Sequence, residues 1–206
     1  HTKDNGWRDL GGTSIGNVAF PQGLPGQHGS DLAELLLANG YDVHGLIRRS
    51  SSFNTSRIDH LYADPHDEDK HLFLHYGDLT EGSRLSTLLD TIRPNEVYNL
   101  AAQSHVRVSF DEPEYTGDST GLGTIRLLEA IRMIGLDCRF YQASTSEMFG
   151  ASPPPQNEDT AFYPRSPYGP PKAYSSCVPP NHPRAHRRLA VHGPLSNPAH
   201  PRRPGP

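Results

Sequence analysis

Tyr168 and Lys172 stand four residues apart, and a helix puts such residues on one face. A lysine ammonium beside a phenol lowers the phenol pKa and can also hold a cofactor ribose. The tyrosine can then accept a proton from a sugar hydroxyl as hydride leaves the same carbon. The spacing alone is common by chance. It gains weight from lying downstream of an apolar run, residues 139–143, that opens onto Ser144-Thr145-Ser146-Glu147. Glu147 is the distinctive group. Hydride transfer needs no carboxylate there. Removal of a proton next to a new ketone, followed by loss of water, needs a base and then an acid, and one carboxylate can serve both. The ordinary alternative is a helix-start glutamate stabilised by the helix dipole.

A second constellation lies near the other end. Gly23-Leu24-Pro25-Gly26-Gln27-His28-Gly29 spaces Gly23, Gly26 and Gly29 as G-x-x-G-x-x-G, between a short apolar stretch and a helical pattern. Glycines let the backbone approach a pyrophosphate, and a helix N-terminus stabilises its charge. The alternative is an ordinary glycine turn. Arg48 and Arg49 follow the next apolar run, where an NAD site usually places an acid for the ribose 2′-hydroxyl. Arginines there favour the 2′-phosphate of NADP, so NADP is the expected cofactor, against the alternative of a solvated basic pair. Asp78, at the end of a third run, is placed to meet an adenine or to serve as a turn or N-cap aspartate. Of the twelve histidines, His182 and His186 have i, i+4 spacing, but Pro183 between them argues against a regular helix, and no metal site is expected.

These groups need elements to carry them. The pattern predicts strands over residues 17–20, 41–47, 71–75, 96–101 and 139–143. Helices are expected over 30–39, 85–92 and 121–134, the first closed by Gly40. Strand alternating with helix implies an α/β fold, a Rossmann-type doubly wound parallel sheet. The expected division is an irregular segment over residues 1–16, a dinucleotide-binding domain over 17–172 and a Pro-rich tail over 173–206. The tail carries eight prolines from Pro179 onward and no acidic residue, and interior helical prolines cost about 3 kcal/mol each, so it is expected to be disordered or loosely packed.

The 206 residues suffice for one domain with a real core, although the hydrophobic fraction is only 34%. A formal charge of −4 provides no basic field for nucleic acid. Apolar runs are short, so no membrane span is expected. The chain opens on His1 without the charged-then-apolar order of a signal peptide, and reads as a fragment or as carrying an added segment. Two cysteines make no disulfide framework, and a cytoplasmic setting is the simpler expectation.

Longer stretches narrow the reading. Gly26-Gln27-His28-Gly29-Ser30 with Leu32-Ala33-Glu34-Leu35-Leu36 is one. Others are Val43-His44-Gly45-Leu46-Ile47-Arg48-Arg49-Ser50-Ser51, His75-Tyr76-Gly77-Asp78-Leu79-Thr80 and Tyr98-Asn99-Leu100-Ala101-Ala102-Gln103-Ser104-His105-Val106. Phe140-Tyr141-Gln142-Ala143-Ser144-Thr145-Ser146-Glu147 and Tyr163-Pro164-Arg165-Ser166-Pro167-Tyr168-Gly169 complete the set. Together, from about Val18 to Lys172, they resemble the GDP-mannose 4,6-dehydratases, extended short-chain dehydrogenase/reductases. The resemblance implies oxidation of mannose C4 by NADP with Tyr168 as base, supported by Lys172. Thr145 would bond the reacting hydroxyl, and Glu147 would take the C5 proton and assist loss of the C6 hydroxyl. The product would be GDP-4-dehydro-6-deoxy-mannose. It further implies Leu79, Leu100, Ala101 and Ala102 at the cofactor, Ser104 and Asn197 at the substrate GDP-mannose, and a homodimer or homotetramer.

The chain also departs from the pattern. Pro170 and Pro171 stand where the family has small residues, on the helix that aligns Tyr168 with Lys172. His28 replaces an acid and Asp31 a tyrosine. The tail keeps register at Asn181, Ala185, Ala190, Gly193, Leu195, Asn197 and Pro201-Arg202-Arg203 but loses the core residues between. The family's smaller C-terminal substrate-binding domain is expected to be missing. A non-catalytic nucleotide-binding remnant, or another NADP-dependent sugar-nucleotide epimerase or reductase, stand as alternatives.

Overall fold

Asn17–Phe20 forms β1, the middle of a parallel sheet in a computed structural model that describes residues 17–20, 27–48, 57–61, 70–101, 106–157, 159–181 and 189–192. α1 (Gln27–Ala38) follows and turns Ala33 and Leu36 inward. It stops where the sequence predicts. Gly40 adopts φ 79°, its N–H bonds the Leu37 carbonyl at 3.0 Å, and the Tyr41 N–H bonds that of Leu36 at 3.1 Å. That closure needs a left-handed residue, which glycine supplies without steric cost. β2 (Asp42–Ile47), β3 (Leu72–Tyr76), α2 (Gly82–Ile92) and β4 (Glu96–Asn99) follow.

The next helices are α3 (Val106–Asp111), α4 (Pro113–Gly117) and α5 (Gly123–Ile134), then β5 (Arg139–Ala143), α6 (Gly169–Asn181) and β6 (Leu189–His192). The strand order is β3-β2-β1-β4-β5-β6, every pair parallel, the order of a doubly wound dinucleotide fold. On one face Val43 and Leu72 pack with Ala33 and Leu36 of α1 and with Ile58. On the other, Val97 and Phe140 pack with Leu89 of α2 and with Leu127 and Leu128 of α5. Leu46, Leu79, Leu85 and Ala101 form a third cluster.

Two expectations are corrected. The helix predicted from residue 121 begins earlier: Pro113 opens α4, where a missing N–H costs nothing, and a π-helical turn, Asp118–Leu122, joins it to α5. The Thr120 carbonyl in this turn accepts hydroxyls from Thr124 at 2.9 Å and Ser175 at 2.8 Å. The irregular tail is corrected over 173–181 and 189–192. Pro170 and Pro171 fall in the first turn of α6, whose N–H groups have no acceptor within the helix, so the helix forms despite them. Buried Lys172, Ser175 and Ser176 hold it down. Leu189 to His192 then pair with Phe140 to Ala143. Among the described residues, no helix is long and apolar enough to cross a membrane.

Candidate active site

β5 ends at Ala143, and the chain turns at once into a single 3-10 turn, Ser146–Met148, that carries Glu147. Thr145 caps this turn: its Oγ1 accepts the Glu147 N–H at 3.3 Å. Tyr168 comes to the same place from a distant loop. The Gly169 N–H bonds the Ser166 carbonyl at 3.1 Å, closing the turn that delivers Tyr168 to the start of α6. Gly169 is required there by close approach. A Cβ on it would stand 2.9 Å from the Glu147 carbonyl oxygen and 2.5 Å from Pro164 Cβ. The loop between is pinned by Ala151 N–H to the Tyr163 carbonyl at 3.0 Å and by Ser152 Oγ to the Ala161 carbonyl at 2.6 Å.

Lys172 lies one turn into α6 and is 2% exposed. Its Nζ donates to the Ala143 carbonyl at 3.0 Å and to the Ala101 carbonyl at 3.4 Å, so the ammonium sits at the C-terminal ends of β5 and β4. Burial lowers its pKa to about 8. Tyr168 is buried as well, and that burial raises its pKa; the hydrogen bond with Thr145 works in the opposite direction, and the Glu147 charge adds to the rise. The expectation that Lys172 lowers the Tyr168 pKa is thereby corrected: desolvation of the phenol outweighs its favourable contact.

Near β3, the two oxygens of Asp78 serve different partners. Oδ1 accepts the Thr80 N–H at 2.9 Å and the Thr80 hydroxyl at 3.0 Å, the turn role foreseen as the alternative, while Oδ2 accepts the Tyr115 hydroxyl at 3.2 Å. Arg48 Nη1 donates to the same Tyr115 oxygen at 2.6 Å. Tyr115 had no role in the sequence reading; the one signal near it is Pro113, which marks the helix start that carries it. Leu79 is buried against Gly123, where a Cβ would stand 2.9 Å from Leu79 Cβ. The Leu100 N–H bonds the Tyr98 carbonyl at 3.0 Å. Gly29 is in α1. Gly23, Gly26, Arg49, Ala102, Ser104 and Asn197, like His182 and His186, lie outside the described residues.

Thr145, Glu147, Tyr168 and Lys172 thus meet around the C-terminal ends of β4 and β5, and Asp78, Leu79 and Arg48 lie beyond the same edge at β2 and β3. In open α/β sheets that edge is where ligands bind. Residues 22–206 match the family described as GDP-mannose 4,6 dehydratase. The chain belongs to that family. It is 56% identical over 188 residues to the GDP-mannose 4,6-dehydratase of Yersinia enterocolitica, covering 90% of this chain and 50% of the relative. The chain spans about half the length of the curated relatives it matches.

Solved structures share the fold. A UDP-glucose 4-epimerase from Brucella ovis in complex with NAD aligns with TM-score 0.72 at 23% identity, over 86% of this chain and 51% of that one. A dTDP-glucose 4,6-dehydratase from Streptomyces venezuelae, with NAD and TYD bound, aligns with TM-score 0.70 at 24% identity, over 86% and 54%. These neighbours hold NAD, and the expectation of NADP is corrected on that finding.

Proposed function

We propose that this chain is the nucleotide-binding half of a GDP-mannose 4,6-dehydratase, a hydro-lyase that holds NAD along the C-terminal edge of its sheet. The observation that carries the reading is Lys172: a buried ammonium, bonded to two carbonyls, with no carboxylate partner among the described residues. A buried cation without a counter-ion is costly unless a polar ligand completes its bonding. The residues present therefore fit a dinucleotide ribose. Lys172 would hold that ribose, with Ala101, Leu100 and Leu79 beside the cofactor and Asp78 toward its adenosine end. NAD, when bound, supplies the hydride acceptor and donor.

The chain's own groups do the rest. Thr145 hydrogen-bonds the C4 hydroxyl of the mannose ring, and Tyr168 removes its proton as a phenolate. That form requires the Thr145 bond and the Lys172 ammonium at the bound ribose to offset the burial that raises the phenol pKa. Glu147 takes the C5 proton, made acidic by the neighbouring ketone, and returns it to the departing C6 hydroxyl, which leaves as water. Loss of water leaves a C5–C6 double bond. Return to C6 of the hydride taken from C4, with a solvent-derived proton delivered to C5 through Glu147, gives GDP-4-dehydro-6-deoxy-mannose. Ser104 and Asn197 are proposed substrate contacts.

The test uses a version extended to the relatives' length. Glu147→Gln is nearly isosteric and keeps NAD binding. It should cut both product formation and exchange of solvent deuterium into C5 by on the order of 10²–10⁴-fold. Parent rates for both would leave Glu147 a helix-start residue and the dehydratase reading without its acid–base group.

A further inference from the structure

Three polar side chains are buried where β4, β5 and α5 meet: Asn99, Gln142 and Thr124, each 0% exposed. All are satisfied. Asn99 Nδ2 donates to Gln142 Oε1 at 2.9 Å and to Thr124 Oγ1 at 3.1 Å, and the Thr124 hydroxyl donates onward to the Thr120 carbonyl at 2.9 Å. Gln142 Nε2 donates to the Ala143 carbonyl at 3.1 Å, and Asn99 Oδ1 accepts the Ala101 N–H at 3.3 Å. Ala143 and Ala101 are the two residues whose carbonyls receive the Lys172 ammonium. The bonding works in one polarity only. Turning Asn99 over sets acceptor against Gln142 acceptor, and turning Gln142 over sets its oxygen against the Ala143 carbonyl.

A buried amide pair is a costly way to fill space that two apolar side chains could occupy. Its attachment to both lysine acceptors supplies a reason for it. We propose that Asn99 and Gln142 are positioning residues: the amide pair fixes the backbone of Ala101 and Ala143, sets where the Lys172 ammonium sits, and leaves its third proton for the bound ligand. The identity of that ligand rests on the dinucleotide reading above; the network itself does not.

The experiment uses the chain as it stands. Gln142→Met keeps the side-chain length and removes the bonds. Asn99→Leu combined with Gln142→Met replaces both amides by apolar groups. Urea unfolding should show the single variant destabilised, because Asn99 loses an acceptor, and the double variant recovering a large part of the loss. NAD affinity, followed by titration, should fall roughly tenfold in the single variant and stay low in the double. Recovery of affinity together with stability would overturn the proposal, since the amides would then only hold the strands together. The second readout does not involve NAD. Gln142→Glu brings a carboxylate beside the Lys172 acceptor and should raise the Lys172 pKa by about one unit or more, read from the pH dependence of its acylation. A Lys172 titration identical to the parent's also overturns the proposal. If the unsubstituted chain binds no NAD, the dinucleotide reading fails, and the Lys172 titration alone decides the positioning role.

Discussion

Gly169 decides whether two pieces of chain can share one site. Its missing Cβ lets the Tyr168 turn lie against the carbonyl of Glu147, so Gly169→Ala should force them apart. A clash of that kind costs about 1–3 kcal/mol, and the outcome is read as a lower urea midpoint together with altered Tyr168 absorbance on alkaline titration. A variant as stable as the parent would mean that the Pro164 loop yields freely. Lys172 makes a pH prediction of definite sign. Its folded pKa, about 8, lies below its ordinary 10.5, so between those values the unfolded chain carries a proton that the folded chain has lost. The burial penalty is therefore in force below pH 8 and is relieved as pH rises through the window, and stability should climb there. Lys172→Met should remove that climb while leaving the rest of the profile.

At the scale of the strands, β2 and β3 place His44 and His75 side by side, Nδ1 to Nε2 at 3.1 Å, with His44 stacked on Phe73 at a ring separation of 4.7 Å. Burial first, then the neighbouring His75, lowers the His44 pKa from 6.5 to about 4, against a smaller opposing effect of Asp42. The His75 pKa is lowered too, by burial and by the Arg84 charge. Both rings are thus neutral in the fold at a pH where the unfolded chain has protonated them. Stability contributed by the neutral pair is present above 6.5 and is lost as pH falls toward 4. His44→Gln should flatten this acid slope, measured as the urea midpoint between pH 7 and 4 (~3 units spanning both values). An unchanged slope would assign acid sensitivity to other groups.

For the whole molecule, β6 matters beyond its four residues. It pairs with β5 from Phe140 to Ala143 and so covers the strand whose end carries the site. A chain ended after Asn181 exposes β5 as an open parallel edge, a template for pairing with another copy. Such a chain should melt lower and scatter light in a concentration-dependent way, where the parent does not. Equal melting and scattering would show that β5 needs no cover. The Pro-rich composition obscured this strand, because proline content describes the tail as a whole while Leu189-Ala190-Val191-His192 is a short run without proline inside it.

Much of this protein is written locally. Alternating apolar runs, the helix stop at Gly40 and the motif stretches between Val18 and Lys172 are properties of neighbouring residues, and they are enough to specify five of the strands, three of the helices and the family. Local rules erred where a proline's effect depends on its place: Pro170 and Pro171 look disruptive in isolation and are harmless in a first turn. Only the tertiary structure decided which groups meet. The Lys172 ammonium bonds a carbonyl 71 residues away at Ala101 and another 29 away at Ala143, because strand order brings β4 beside β5 and α6 across both. Arg48 and Tyr115 are 67 residues apart, and only the fold brings the guanidinium to that hydroxyl. Tyr168 likewise gains a raised pKa from its burial, a quantity set by what the whole fold packs around the phenol rather than by the lysine four residues on.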